Sequence, residues 1–132
     1  MNIQVAVFCD AAFEYQNRLC LLGTFDTIET KSLPVVKTAC AVTVQLLWNK
    51  LEEGQHTVTV QFMDEDGNKT LNEVKASIKV SVPTGAATVA TNHIVNIQQL
   101  KFNKSGNYQA TVYVDEVFVA EVPLYILLVN KQ

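Results

Sequence analysis

Any side-chain chemistry in this chain has few groups to start from. His56 and His93 are the only histidines, and Cys9, Cys20 and Cys40 the only cysteines. A catalytic nucleophile needs a base within hydrogen-bond reach, and that base needs a third group to orient it. Neither histidine has a sequence neighbour that sets up a Ser-His-Asp or Cys-His arrangement, and no recognised catalytic motif frames one. His56 falls in register with Val58 and Val60 at a strand start, either half-buried or crowning the strand at the surface. No catalytic residue is assigned, and the chain is read as non-enzymatic.

Asp64, Asp66 and Asn68 alternate oxygen ligands as a hard cation such as calcium prefers. Gly67 stands at the fourth position of that run, however, no glutamate stands at the twelfth, and Lys69 follows at once. A hairpin turn accounts for the composition better, so neither metal nor cofactor is expected. Asp10, Glu14 and Asp26 would converge if the first two strands formed a hairpin, and paired carboxylates can do acid–base work. The favoured reading leaves Asp10 and Glu14 on a loop and Asp26 in solvent. The odd, widely spaced cysteines fit neither a disulfide framework nor a zinc motif. They read as small buried hydrophobes. If the first two strands pair antiparallel, Cys9 and Cys20 lie almost opposite each other, and a disulfide there is one outcome. Trp48, Phe62 and Tyr108 share register with inward positions and read as core. Phe13 and Tyr15, in a polar stretch, are the candidates for an exposed ligand or partner contact.

The elements that must position these residues repeat with a period of two. Ile3, Val5, Val7 and Cys9 make one strand face. Asp10 to Asn17 reads as a loop or one helical turn capped by Asp10. Leu19 to Ile28 is extended, with a bulge or close backbone approach at Gly23, and Glu29 to Lys37 is a connection carrying Pro34. Cys40 to Trp48 is the clearest strand, reaching roughly 30 Å at about 3.3 Å per residue. His56 to Phe62 follows, then the Asp64–Asn68 turn. Val74 to Val82 comes next, its Lys75 and Lys79 marking a protected sheet edge. Thr84 to Asn92 reads as a mobile loop of small residues. A bulge near Gln98 and Gln99 reconciles Val95 and Ile97 with the opposite parity of Leu100 and Phe102. Tyr108 to Val114, a turn at Asp115-Glu116 and a last strand to about Val129 complete the chain. About eight strands with short turns and no convincing helix predict one all-β domain over residues 1–132. Its expected form is an antiparallel two-sheet β-sandwich of immunoglobulin-like or related Greek-key topology.

Composition narrows the partners. Of 132 residues, 48% are hydrophobic and 17% charged, which argues against disorder. The net charge is −3 and Arg18 is the only arginine, so nucleic acid is not an expected partner. No apolar run is long enough to span a bilayer. Asp10, Glu14 and Arg18 interrupt any signal-peptide core, and a cytoplasmic protein is expected.

Several stretches together carry a resemblance: Cys9-Asp10-Ala11-Ala12, Leu21-Leu22-Gly23-Thr24-Phe25-Asp26, and Glu53-Gly54-Gln55-His56 running into Phe62-Met63-Asp64-Glu65-Asp66-Gly67. Gly106-Asn107-Tyr108 and Pro123-Leu124-Tyr125 add to it. On these the chain resembles a family of short bacterial all-β proteins of unknown function. The shared motifs are turns and strand ends, so they imply a fold and no catalytic residue. Asp115-Glu116 stands where such proteins tend to have Asp-Gly. The leading expectation is a module that binds another protein, for which adding a strand to a sheet edge is one mechanism. The rival is a small-ligand or carbohydrate-binding domain using Phe13, Tyr15 and the Thr84–Asn92 loop. A homo-oligomer would form through an edge strand or through the C-terminal strand, whose Leu124–Leu128 stretch lacks a polar face.

Overall fold

A computed structural model of the chain describes residues 1–129. Nine strands follow one another: β1 (Asn2–Tyr15), β2 (Arg18–Phe25), β3 (Thr27–Thr30), β4 (Val35–Asn49), β5 (Gly54–Asp64), β6 (Lys69–Val80), β7 (Thr88–Phe102), β8 (Gly106–Val114) and β9 (Val117–Leu128). A 3-10 turn at Lys50–Glu52 joins β4 to β5. The strands form a four-stranded sheet ordered β2-β1-β4-β7 and a five-stranded sheet ordered β3-β9-β8-β5-β6. The all-β, two-sheet architecture is the one the alternation predicts.

Three local expectations are corrected. Asp10–Asn17 is neither loop nor helical turn: β1 continues to Tyr15, and the turn is Gln16 and Asn17 alone, at φ 50° and 61°. Pairing with β2 supplies the backbone partners there and overrides the polar local composition. Leu19–Ile28 is two strands rather than one. At Asp26 the chain leaves the first sheet, and β3 joins the second beside β9, parallel to it, so the fold is not wholly antiparallel. Finally, β7 begins at Thr88, because Thr88–Asn92 pairs with Gln45–Asn49 of β4, and the expected Thr84–Asn92 loop is shortened.

The two-residue turn also fixes the cysteine register, since turn length sets which residues face each other. Cys9 lies opposite Thr24 and Cys20 opposite Phe13, so the Cys9–Cys20 pairing is excluded, and all three cysteines are free. Gly23 does meet its neighbour closely: at φ 67° it would place a Cβ 2.6 Å from Asp10 Oδ2.

The core lies between the sheets. Phe8, Val42, Val44, Leu46 and Trp48 meet Val58, Phe62, Tyr108, Val112, Leu124 and Ile126. Phe62 packs edge-on to Phe8 at 5.8 Å and stacks on Tyr108 at 6.2 Å, so the inward reading of Trp48, Phe62 and Tyr108 holds. Tyr108, at the start of β8, donates its hydroxyl to the Lys104 carbonyl at 2.9 Å. The bulge expected near Gln98 and Gln99 is absent, and the break in alternation comes instead from one left-handed residue, Gln99 at φ 55°. Ile97, Leu100 and Phe102 all become buried, while the pairing with β4 keeps its register. The apolar β9 buries Val122, Leu124 and Ile126 and exposes Tyr125 and Leu128, with β8 and β3 on its two edges.

Candidate functional site

Two open sheets leave four edge strands: β2, β7, β3 and β6. An edge presents unpaired N–H and C=O groups that can capture another strand, and folds blunt it with charge, brevity or irregularity. β6 carries Lys69, Lys75 and Lys79. β3 has four residues. β2 has eight and is interrupted by Gly23 at φ 67°. β7 has fifteen residues, and from Thr88 to Leu100 it holds no Asp, Glu, Lys, Arg, Gly or Pro. Its regular run ends only at Gln99.

Beneath that edge the gap between the sheets opens toward β6 as a cavity of about 310 Å³. Val60, Phe62, Leu71, Val74, Val95 and Ile97 line it, with Leu71 and Val74 exposed at its rim. The outward face of β7 mixes amides with Ala90 and Ile94. Asn92 accepts a hydrogen bond from Gln45 Nε2 at 2.8 Å, and Asn96 is exposed. The edge thus offers backbone groups flanked by an apolar groove on one side and this mixed face on the other.

A network behind β7 holds it in place. The Trp48 indole N–H donates to Thr91 Oγ1 at 2.8 Å, and Thr91 Oγ1 lies 2.8 Å from His93 Nε2. Burial pushes the His93 pKa down, opposed by the Glu14 carboxylate. Which of the two atoms donates follows the tautomer of the neutral ring. Trp48 also packs against His56, ring centres 4.5 Å apart and planes tilted by 32°. His56 Nδ1 faces Asp115 Oδ2 at 2.6 Å, and Nε2 faces the Glu52 carbonyl at 2.6 Å. Both partners are acceptors, so both ring nitrogens must donate, and this geometry belongs to the imidazolium. The hydrogen bond to Asp115, then that to Glu52, accordingly raises the His56 pKa. The same bond, helped by the Thr57 N–H, lowers that of Asp115. Neither histidine therefore offers an idle Nε2 to a substrate.

Phe13 and Tyr15 lie on a ribbon. β1 pairs with β4 only as far as Cys9, whereas its pairing with β2 runs on to Tyr15. β1 touches β7 although β4 separates them in the sheet, and Glu14 is near enough to His93 to act on its charge. Cys9, Ala41 and Thr43 are buried although they point away from the Phe8–Val42 side. Together these observations place the ribbon across the outer face of the four-stranded sheet. Phe13 is 56% exposed, Tyr15 62% and Leu22 65%, with Phe13 opposite Cys20 and Tyr15 opposite Arg18.

The remaining candidates are structural. Asp64 Oδ1 accepts the N–H groups of Asp66 and Asn68 at 3.0 and 2.9 Å, which closes a turn. Asp10 pairs with Lys37 at 2.8 Å, and Asp26 accepts from Thr27, so these two carboxylates have separate partners. Among the described residues, no three His, Cys, Asp or Glu side chains could hold a metal ion. Burial raises the Cys40 pKa and keeps it a thiol.

The sequence profile of a family of unknown function, DUF6941, matches residues 4–127. The chain belongs to that family. As the turn motifs led us to expect, its relatives are uncharacterised. No curated protein matches the sequence. Among solved structures the chain is similar to the Pseudomonas fluorescens alkylpurine DNA glycosylase AlkC bound to DNA containing an abasic site analog. That match has 9% identity and a TM-score of 0.47, over 77% of this chain and 28% of that one. A glycosyl hydrolase family 2 member from Bacteroides cellulosilyticus is similar at 13% identity and a TM-score of 0.43, over 72% of this chain and 14% of that one. This chain spans less than a third of either, and likeness at this level carries nothing about activity.

Nothing in the sequence marks β7 as an edge, because charge is what usually signals one and Thr88–Leu100 carries no Asp, Glu, Lys or Arg. The His56–Asp115 pair leaves no signal either, since its members stand 59 residues apart.

Proposed function

We propose that this protein is a non-enzymatic interaction module that takes an extended segment of another protein as an added strand on β7. The observation that carries the reading is the contrast among the four edges: β7 alone offers a long run, Thr88–Gln98, free of Asp, Glu, Lys, Arg, Gly and Pro. In strand addition the backbone gives affinity, and pockets for alternate side chains give specificity. The groove under Val95 and Ile97 fits apolar side chains at every second position of the segment. Phe13 and Tyr15 flank the site as further contacts. The engagement of both ring nitrogens of His56 and of Nε2 of His93 favours binding over catalysis.

The fold reading that goes with this function is immunoglobulin-like. β6-β5-β8-β9 follow the C′-C-F-G order and β1-β4-β7 the A-B-E order, and Tyr108 is placed as the tyrosine corner of such domains is. Three free cysteines agree with a reducing, cytoplasmic setting. Among the described residues, no helix is long and apolar enough to cross a membrane.

The test is fluorescence anisotropy with labelled peptides that alternate Val or Ile with Thr. Binding that weakens at least tenfold in N96K/Q98K is the expected result. Binding indifferent to those changes, or none with any such peptide, would overturn the reading.

A second reading, a site for a small polar ligand such as a sugar, rests on a depression of about 310 Å³ on the outer face of the five-stranded sheet. Thr59, Gln61, Glu73, Lys75, Tyr113 and Glu116 line it. Its polar groups already pair internally, Gln61 with Glu73 at 2.7 Å and Lys75 with Glu116 at 3.0 Å, which favours the first reading. A sugar-dependent thermal shift lost in Q61A would favour the second.

A further inference from the structure

We infer that the depression on the outer face of the five-stranded sheet takes a neutral sugar unit, whose binding turns the Gln61 amide from Glu73 onto Thr111. The inference deepens the second reading above and rests on it, and it is independent of the β7 edge.

Strand register builds the site in two rows. Lys75 of β6, Thr59 of β5 and Tyr113 of β8 lie side by side, with Phe118 of β9 beyond them. In the next row Gln61 of β5 lies directly opposite Thr111 of β8. The core residues Val58, Val60, Ala110 and Val112 alternate with these positions, so both rows face outward. Threonine on the solvent side of a sheet is ordinarily half exposed. Here Thr59, which lines the depression, is 7% exposed, and Thr111 is 3% exposed. The outer face therefore has a buried polar floor.

Thr111 is the observation that points to a ligand. Among the described residues, its Oγ1 is the buried side-chain oxygen that lacks a hydrogen-bond partner. An unmet buried hydroxyl carries the full cost of its desolvation. Gln61 is its cross-strand neighbour, but Gln61 donates Nε2 to Glu73 Oε2 at 2.7 Å instead. That bond is exposed, as is the Lys75–Glu116 pair at 3.0 Å. Exposed pairs of this kind contribute little and exchange easily. A ligand hydroxyl donating to Glu73 replaces the Gln61 amide, which then donates to Thr111 Oγ1. The resting pairs close the site without abolishing it.

The lining sets the ligand class. Glu73 and Glu116 accept hydroxyl protons, and Lys75 donates to hydroxyl oxygens. The half-buried Tyr113 ring, met edge-on by Phe118 at 6.1 Å, offers an apolar surface to C–H groups. A sugar ring carries both kinds of group within one small unit. Two carboxylates against one ammonium oppose an anion such as a sugar phosphate. The volume of about 310 Å³ lies at the small end of ligand pockets, which suits one unit over a long chain.

The test is NMR of the full chain titrated with glucose, galactose, mannose and xylose, and with the anions glucose 6-phosphate and glucuronate. A neutral sugar is expected to shift the amide signals of Thr59, Gln61 and Thr111 and to leave those of β7 in place, while the anions shift none. T111V removes the hydroxyl at nearly constant volume. It should raise the thermal midpoint, because no hydrogen bond is lost, and yet weaken the sugar about tenfold, the worth of one hydrogen bond. A purely structural threonine predicts the first effect without the second. Sugar binding at these residues that T111V leaves unaltered overturns the Gln61 switch, and the second reading stands. Shifts from the anions alone overturn the neutral class, and again only the inference is lost. No shift from any probe overturns both.

Discussion

β6 and β7 are the two edges on one side of the sandwich, and they are finished in opposite ways. β6 places Lys69, Lys75 and Lys79 along its length, and Lys75 is tied to Glu116 at 3.0 Å. β7, across the gap, shows amides, threonines and aliphatic side chains. A strand joining β6 must bury or displace ammonium groups, whereas a strand joining β7 meets no charge before Lys101. Had general solubility shaped both edges, both would carry charge. One protected and one open edge is the pattern expected where strand addition is wanted at a single place.

Removing what supports β7 is the harshest way to break this contrast. Trp48 is fully buried, opposes Val89 and holds Thr91. W48A should cost about 3–5 kcal/mol in urea unfolding. Amide exchange should quicken more in β7 than in β6.

Exchanging the finish of the two edges acts on binding. N96K/Q98K transfers the lysine pattern to exposed positions of β7. It should weaken peptide binding at least tenfold, while unfolding free energy stays within about 0.5 kcal/mol of wild type. K75T/K79T should do the reverse and make β6 a second acceptor, seen as a second binding event in calorimetry.

A smaller effect belongs to the clamp behind β7 and depends on pH. The His56 pKa is raised in the folded protein, so its contribution is complete below the unfolded value of about 6.5 and fades as pH rises through the folded value. The Asp115 pKa is lowered, so its share is present above about 3.9 and fades as pH falls through the folded value. The stability lost in H56Q should therefore be largest between about pH 4 and 6.5 and shrink above. Asp115 is half exposed and solvent screens the pair, so the maximum should be on the order of 1 kcal/mol. A difference that grew toward pH 8 would contradict the imidazolium assignment.

The smallest effect is at the β8–β9 turn, which presents Glu116 at φ 67° where a glycine is favoured. E116G should raise stability by about 0.5–1 kcal/mol after loss of the Lys75 ion pair, with peptide binding to β7 unchanged.

Much of the fold could be read from alternation alone. The inward row Cys40 to Trp48, the turns at Asp64–Asn68 and Asp115-Glu116, and the lysines of β6 all mark local geometry that a period of two makes visible. Long-range pairing was harder to see. Asp10–Asn17 looks like a loop because its partner Arg18–Gly23 supplies what its own composition does not. The switch of sheets at Asp26 has no signal beyond Gly23 and the short Thr27–Thr30 run. The site was hidden for a related reason. That β7 is an edge depends on strand order, which no residue in Thr88–Leu100 encodes, and its first residues resemble a small-residue loop.

The most direct measurement is NMR-detected amide exchange on β6 and β7 with and without a peptide alternating Val and Thr. Protection of alternate β7 amides, those pointing away from β4, with β6 unchanged is the result expected of an open edge. Protection along β6, or no added protection on either strand at a saturating peptide concentration, would contradict strand addition at β7.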